Sequence, residues 1–205
     1  MSYELFFSND QTPDARNFNA QILGYVQNFY NQPTRFYHNF DHITEMILTG
    51  KKTFHLTFKQ YLAILFHDLV YNAKSSINES QSARQMFTII AALRGPMSQE
   101  DLRFFGDVAV IINDTKDHYY PTTEESKVVL DLDLERLARP LPEVEHFSDL
   151  IRQEFSHVSD EDFEKGRKDF YQKFLLIEHP FSTEYGRQFW EPKAKENIRL
   201  MLDKM

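Results

Sequence analysis

The chain contains no cysteine, which removes both a disulfide framework and a thiolate metal site. Any bound metal must then be held by imidazole and carboxylate. Only 6 glycines occur among 205 residues, and no apolar run approaches the ~20 residues that a membrane span needs. The opening MSYELFFSNDQTPDAR has no basic start followed by an apolar stretch, so no secretory leader is expected. Positive charge is scarce as well: 31 acidic residues against 23 basic ones give a formal charge of -8. A nucleic-acid backbone demands a basic face, so nucleic acid is not an expected partner. These absences predict a cytoplasmic protein with no membrane partner. An anionic substrate stays compatible with the acidic balance, because a bound cation dominates the field around it.

With 41% hydrophobic residues, the chain suits one well-filled core, so a single domain over 1–205 is expected. Apolar residues recur mostly at three- and four-residue spacing, and sustained alternation of the strand kind is missing. The expected class is therefore all-α, a bundle of about eight or nine helices with short connections. Pro13 suits the first turn of a helix running to about Tyr30, and the next is expected from His38 or Phe40 to Gly50. Further helices are expected near 57–70, 79–93, 98–114, 124–138, 143–156, 160–177 and 192–204. RGPMS, RPLPE and EHPFS read as turns between them. No internal repeat or low-complexity tract is present.

His67 and Asp68 interrupt the apolar run YLAILFHDLVYN. Buried and unpaired, both side chains would be very costly, and one divalent metal compensates both. The competing reading is a core histidine bonded to a backbone carbonyl, with Asp68 paired to an arginine. On a helix the two are about 100° apart, so a shared ion must lie over the edge between them. In RFYHNFDHI, His38 and His42 are four apart, which on a helix brings their Cβ atoms within about 6 Å. Both then ligate one metal, or one ligates while the other serves as proton donor; alternatively Asn39 caps a helix and both histidines are half-exposed surface. VVLDLDLERLA adds Asp131 and Asp133, which point about 200° apart on a helix. Val129, Leu130 and Leu137 put Asp133 on the buried face. Asp131, four residues from Lys127 and Glu135, reads as more solvated, so Asp133 is the better ligand candidate. Three helices thus supply His, His-Asp and Asp, a set suited to Mn, Fe, Co, Ni, Zn or, less well, Mg.

This H…HD…D order resembles the HD superfamily of helical metal-dependent phosphohydrolases. More closely, RFYHNFDHI, FHDLVYN, NESQSA, TKDH and DLDLERLA are similar to a small bacterial group of predicted metal-dependent HD phosphohydrolases. The similarity extends to IRQEFSHV and EPKAKENI, and so over most of the chain. It implies an HD-domain bundle. YHNFDHI is similar to a Tyr-His-Asn-x-x-His segment of the cyclic-nucleotide phosphodiesterases, in which the second histidine binds metal and the first protonates the leaving oxygen. The resemblance therefore implies His42 as a metal ligand and His38 as the general acid. It matches His67 and Asp68 to the pair that names the superfamily, with Asp68 in the catalytic centre, and Asp133 to its final aspartate. Ala138, where the group has glycine, and Phe155, where it has tyrosine, depart from the pattern without touching a ligand.

The implied activity is hydrolysis of a phosphate ester or phosphoanhydride, in a nucleotide or related small metabolite, with a divalent metal as cofactor. Two other readings stay open: a di-iron oxygenase using His118 as extra ligand, and a non-catalytic metal- or nucleotide-binding module. Among substrate-binding candidates, Glu79 either bonds a metal water or belongs to a helix cap with Asn78 and Ser80. His118 is either a phosphate-side donor, a ligand to a second metal, or an imidazolium favoured by a helix end. Arg35, Lys74, Lys116, Arg152 and Arg167 are either phosphate clamps or solvated surface. His55, His146, His157 and His179 read as structural or surface, and the 19 phenylalanines as core filling. A homo-oligomer is compatible with the sequence, which does not fix the number of copies.

Overall fold

Nine α-helices follow one another through residues 13–205, which are the residues that this computed structural model describes, with side chains from 20 onward. They are α1 (Pro13–Tyr30), α2 (Phe40–Thr53), α3 (Phe58–Phe66), α4 (Asn78–Arg94), α5 (Gln99–Asp114), α6 (Glu124–Leu134), α7 (Leu141–Glu154), α8 (Asp160–Leu176) and α9 (Glu191–Leu202). A 3₁₀ turn, Glu135–Ala138, follows α6, and a π turn, Gly186–Trp190, leads into α9. The fold is all-α, and the described residues contain no strand. One hydrophobic cluster draws on every helix: Val26, Ile43, Leu62, Met86, Val108, Val129, Val144, Phe174 and Ile198 all belong to it. α3 lies deepest, with all seven residues from Gln60 to Phe66 buried. Among the described residues, no helix is long and apolar enough to cross a membrane.

Local chemistry sets the helix starts. Asn39 caps α2 through the Asp41 and His42 amides, and Thr57 with Gln60 forms a capping box on α3. Helix ends depart from expectation where tertiary contacts intervene. Gly50 does not end α2, which continues to Thr53; a Cβ there would meet Leu56 and Leu132 side-chain carbons at 2.8–2.9 Å. That glycine serves a close approach instead of a C-cap. The run expected as a helix to 138 tightens into the 3₁₀ turn after Leu134. The segment 184–190, assigned to no helix from the sequence, is already helical, with the π turn absorbing an extra residue before Pro192.

The departure that bears most on the site is at the end of α3, expected near residue 70 and found at Phe66. His67 is the C-cap, and the Leu69 amide bonds back to Phe66 O at 3.1 Å. Arg35 supplies the reason. Its guanidinium donates to the carbonyls of His38 (3.2 Å), Asp68 (2.6 Å) and Leu69 (2.7 Å), so two carbonyls turn away from the helix axis. Arg35, expected among the phosphate clamps, is thus a buried staple between two loops and does not line the cleft described below. Arg35→Met leaves those carbonyls without their donor; unfolding by urea should show a loss of about 3 kcal/mol, against which Arg35→Lys recovers only part.

Candidate metal centre

Because α3 stops at Phe66, His67 and Asp68 sit on a turn at the deep end of the core, and their 100° relation on a continuous helix does not apply. His67 is 1% exposed. Its Nδ1 donates to Ile64 O at 2.9 Å, which fixes the tautomer and leaves Nε2 facing inward. That Nε2 is sealed from solvent and aligned with no hydrogen-bond partner, although Asp68 Oδ2 lies 3.0 Å away and Asp133 Oδ1 3.9 Å. A buried lone pair facing two carboxylates requires a cation between them or a proton on the ring.

α2 brings His42, wholly buried, with its Nε2 2.9 Å from Asp133 Oδ1. The Tyr37 ring stacks on it at 5.3 Å. Burial holds the His42 pKa below its ordinary value, so the ring is the neutral imidazole a metal needs. Asp133, near the end of α6, joins these two: ligand atoms of His42, His67 and Asp133 all lie within 4.8 Å of one another. Neutral imidazole nitrogens plus a carboxylate, with an orphaned buried nitrogen among them, fit a divalent transition ion. Asp68, the fourth expected ligand, falls outside that triad and stands beside His67.

Electrostatics bind the group together. Burial alone would lower the His67 pKa, but Asp68 and then Asp133 outweigh it and push it up to about 9. Burial opposes ionisation of both aspartates, yet His67 and His38 hold the Asp68 carboxyl below its usual range, and His118, His42 and His67 do the same for Asp133. Without metal, His67 carries a proton to about pH 9, and a ligating ring must release it. Metal binding between pH 6.5, the ordinary histidine value, and about 9 should therefore release one proton from His67, with affinity rising about tenfold per pH unit and flattening above. Calorimetry in buffers of different ionisation heat measures that proton directly.

His38 lies in the bend before α2, which begins at Phe40, so it does not share a helix face with His42; their ring centroids are 6.5 Å apart. It stacks on Tyr71 at 4.1 Å, and its Nδ1 is 2.6 Å from Glu154 Oε2. The other oxygen, Glu154 Oε1, accepts the Tyr37 and His38 amides at 2.7 and 2.9 Å. Burial opposes ionisation of Glu154, but the His38 hydrogen bond and charge outweigh it and hold the carboxyl below its usual value. Sequence reasoning missed Glu154. A signal existed: it is the last residue of α7, where a carboxylate faces the negative end of the helix dipole and needs an external partner.

A cleft of about 200 Å³ opens over these groups. His38, His67, Asp68, Asp133, Glu79 and His118 all line it, while His42 lies behind the lining. His118 Nε2 is 2.7 Å from Asp133 Oδ2, so one carboxylate serves both His42 and His118. Burial would lower the His118 pKa, but Asp133 raises it above the ordinary value. Lys116, expected as a substrate contact, instead donates to Ser76 O at 2.8 Å and ties two loops together outside the cleft lining. Arg152 donates to Phe155 O, Val158 O and Asp160 and is likewise structural. Lys74 is exposed and away from the lining, as are His55, His146, His157 and His179.

Asp131 reverses the expectation of a solvated side chain. It is wholly buried and accepts the Ser182 amide at 2.6 Å, the Thr183 amide at 2.9 Å and the Thr183 hydroxyl. Its neighbours four residues away, Lys127 and Glu135, gave no hint that the distant segment before α9 covers it. Burial pushes its carboxyl up to about 6, and Gly186 is required beside it because a Cβ would lie 2.3 Å from Oδ2. Asp131 therefore anchors a loop, and Asp133 belongs to the group that could hold a metal. No family model matches the chain, and no match is found among curated proteins or solved structures.

Proposed function

We propose that this protein is a metal-dependent phosphohydrolase of the HD superfamily, acting on a phosphate ester or phosphoanhydride of a small metabolite such as a nucleotide. One observation carries the reading: a His42–His67–Asp133 triad, with both histidines buried and the carboxylate half-buried, meets a cleft that also presents His38, itself held by a carboxylate. A divalent ion held by that triad, with Asp68 beside it, supplies Lewis acidity and lowers the pKa of a water from 15.7 toward about 7.

The chain's own residues do the remainder. Asp68, anionic throughout the neutral range, accepts a proton-bearing partner in the cleft and orients an attacking water. Glu154 takes the His38 Nδ1 side, so the proton available to the cleft is the one on Nε2. Delivered to the leaving oxygen, that proton spares the product an alkoxide charge. The Ile64 carbonyl fixes His67, and α2 fixes His42, so neither imidazole needs to reorganise during the reaction.

The experiment is a matrix of Mn, Co, Ni, Zn, Fe and Mg against nucleotides and generic phosphate mono- and diesters. Turnover with at least one metal is expected, falling by about 10² or more in Asp68→Ala. Turnover that survives unchanged in that variant overturns the assignment. So does tight nucleotide binding without product under every metal.

A further inference from the structure

Arg167 is the only lysine or arginine among the described residues that line the cleft. Its guanidinium lies 5.0 Å over Phe170 and 4.7 Å over Tyr171, and one nitrogen donates to the Tyr171 hydroxyl at 2.8 Å. Tyr171 is wholly buried, so the fork is held from two sides. Four other arginines have carboxylate partners: Asp101 for Arg94, Glu45 for Arg136, Glu135 for Arg139 and Asp160 for Arg152. Arg167 forms no ion pair among the described residues, and its Nε is sealed from water without a hydrogen-bond partner. Three carboxylates, Asp68, Glu79 and Asp133, line the same cleft, yet none pairs with it. A rigid, unneutralised guanidinium in a site this acidic is suited to an anion that arrives from outside.

The wall beside it is apolar, formed by Leu134, Leu137, Ile151 and Phe170. We propose that Arg167 grips anionic oxygens of the substrate while this wall takes its uncharged body, so that the substrate is an organic phosphate with an apolar or aromatic group. The substrate class rests on the phosphohydrolase reading; the anion contact does not, and it is tested without turnover.

Metal-loaded protein is titrated calorimetrically with inorganic phosphate and with phenylphosphonate, whose P–C bond is not hydrolysed. Wild type binds both, phenylphosphonate more tightly. Arg167→Met weakens both by about tenfold or more, and Arg167→Lys recovers part of the loss without the two-pronged geometry. Tyr171→Phe keeps the charge and the ring but releases one guanidinium nitrogen, and weakens both about threefold. Metal content and melting behaviour, followed alongside, report whether each variant is folded. Affinities within twofold of wild type in folded Arg167→Met overturn the proposal, as does wild type that binds neither anion at about 10 mM. Should Arg167→Met be unfolded, unchanged binding in Tyr171→Phe and Arg167→Lys together has the same force. Wild type that binds both anions through Arg167 but hydrolyses no ester removes the phosphohydrolase reading and keeps the anion site. Hydrolysis with an unchanged KM in Arg167→Met does the reverse.

Discussion

Asp133→Ala should lower divalent-metal affinity by more than about 100-fold and abolish hydrolysis with it. The size follows from how many groups depend on one carboxylate. Asp133 Oδ1 faces His42 Nε2 at 2.9 Å and His67 Nε2 at 3.9 Å, while Oδ2 holds His118 at 2.7 Å. Loss of a partner that only orients a ligand costs 10- to 100-fold in metal affinity. Removing the sole carboxylate of the triad, and with it the acceptor for two imidazoles, must exceed that range. Asp133→Asn keeps the shape without the charge and should fall nearly as far. Competition with a chromophoric chelator measures the affinity, and metal analysis after desalting measures retention. Asp131→Asn, two residues away, is the contrast: metal affinity should stay within about threefold, because Asp131 bonds Ser182 and Thr183 and not the triad. Equal losses in the two variants would mean that the triad is misassigned.

That contrast also marks what the sequence could tell. Periodicity sufficed for the all-α class, because an amphipathic helix shows its buried stripe locally. For Asp133 it helped only in part: Val129 and Leu130 are buried and Leu137 is half-buried, and the side chain joins a group that could hold a metal, yet it is itself half-buried where Asp131 is fully so. It failed for Asp131, whose cover comes from a segment some fifty residues later. The His67–Asp68 pair was legible as costly to bury, but the helix stop that exposes it to the cleft was not. That stop depends on Arg35, whose guanidinium captures carbonyls from 33 and 34 residues away. The same capture explains why Arg35 looked like a phosphate clamp: sequence reveals a charge, not whether the fold has already neutralised it. Arg35, Lys116 and Arg152 are all committed to backbone carbonyls. Glu154 was hidden for a related reason, since its partner His38 lies 116 residues away.

The second large effect is expected at that pair. His38→Ala should cut kcat on an ester with a poor leaving group by about 10² to 10⁴, the range of a lost general acid, while metal affinity holds. On a p-nitrophenyl ester the loss should be small, because a leaving group that departs as a stable anion needs no proton. Glu154→Gln tests the mechanism one step back. Its carboxylate accepts from His38 at the ring nitrogen remote from the proposed proton transfer and from two backbone amides, so the amide variant keeps part of the scaffold and loses the charge beside Nδ1. Without that charge the ring is held less firmly for proton delivery, so activity on poor leaving groups should fall further than activity on p-nitrophenyl esters. A purely structural Glu154 would instead lower activity on both kinds of ester equally. Equal losses for p-nitrophenyl and alkyl esters in His38→Ala would remove His38 from proton transfer and leave it a wall of the cleft, stacked on Tyr71.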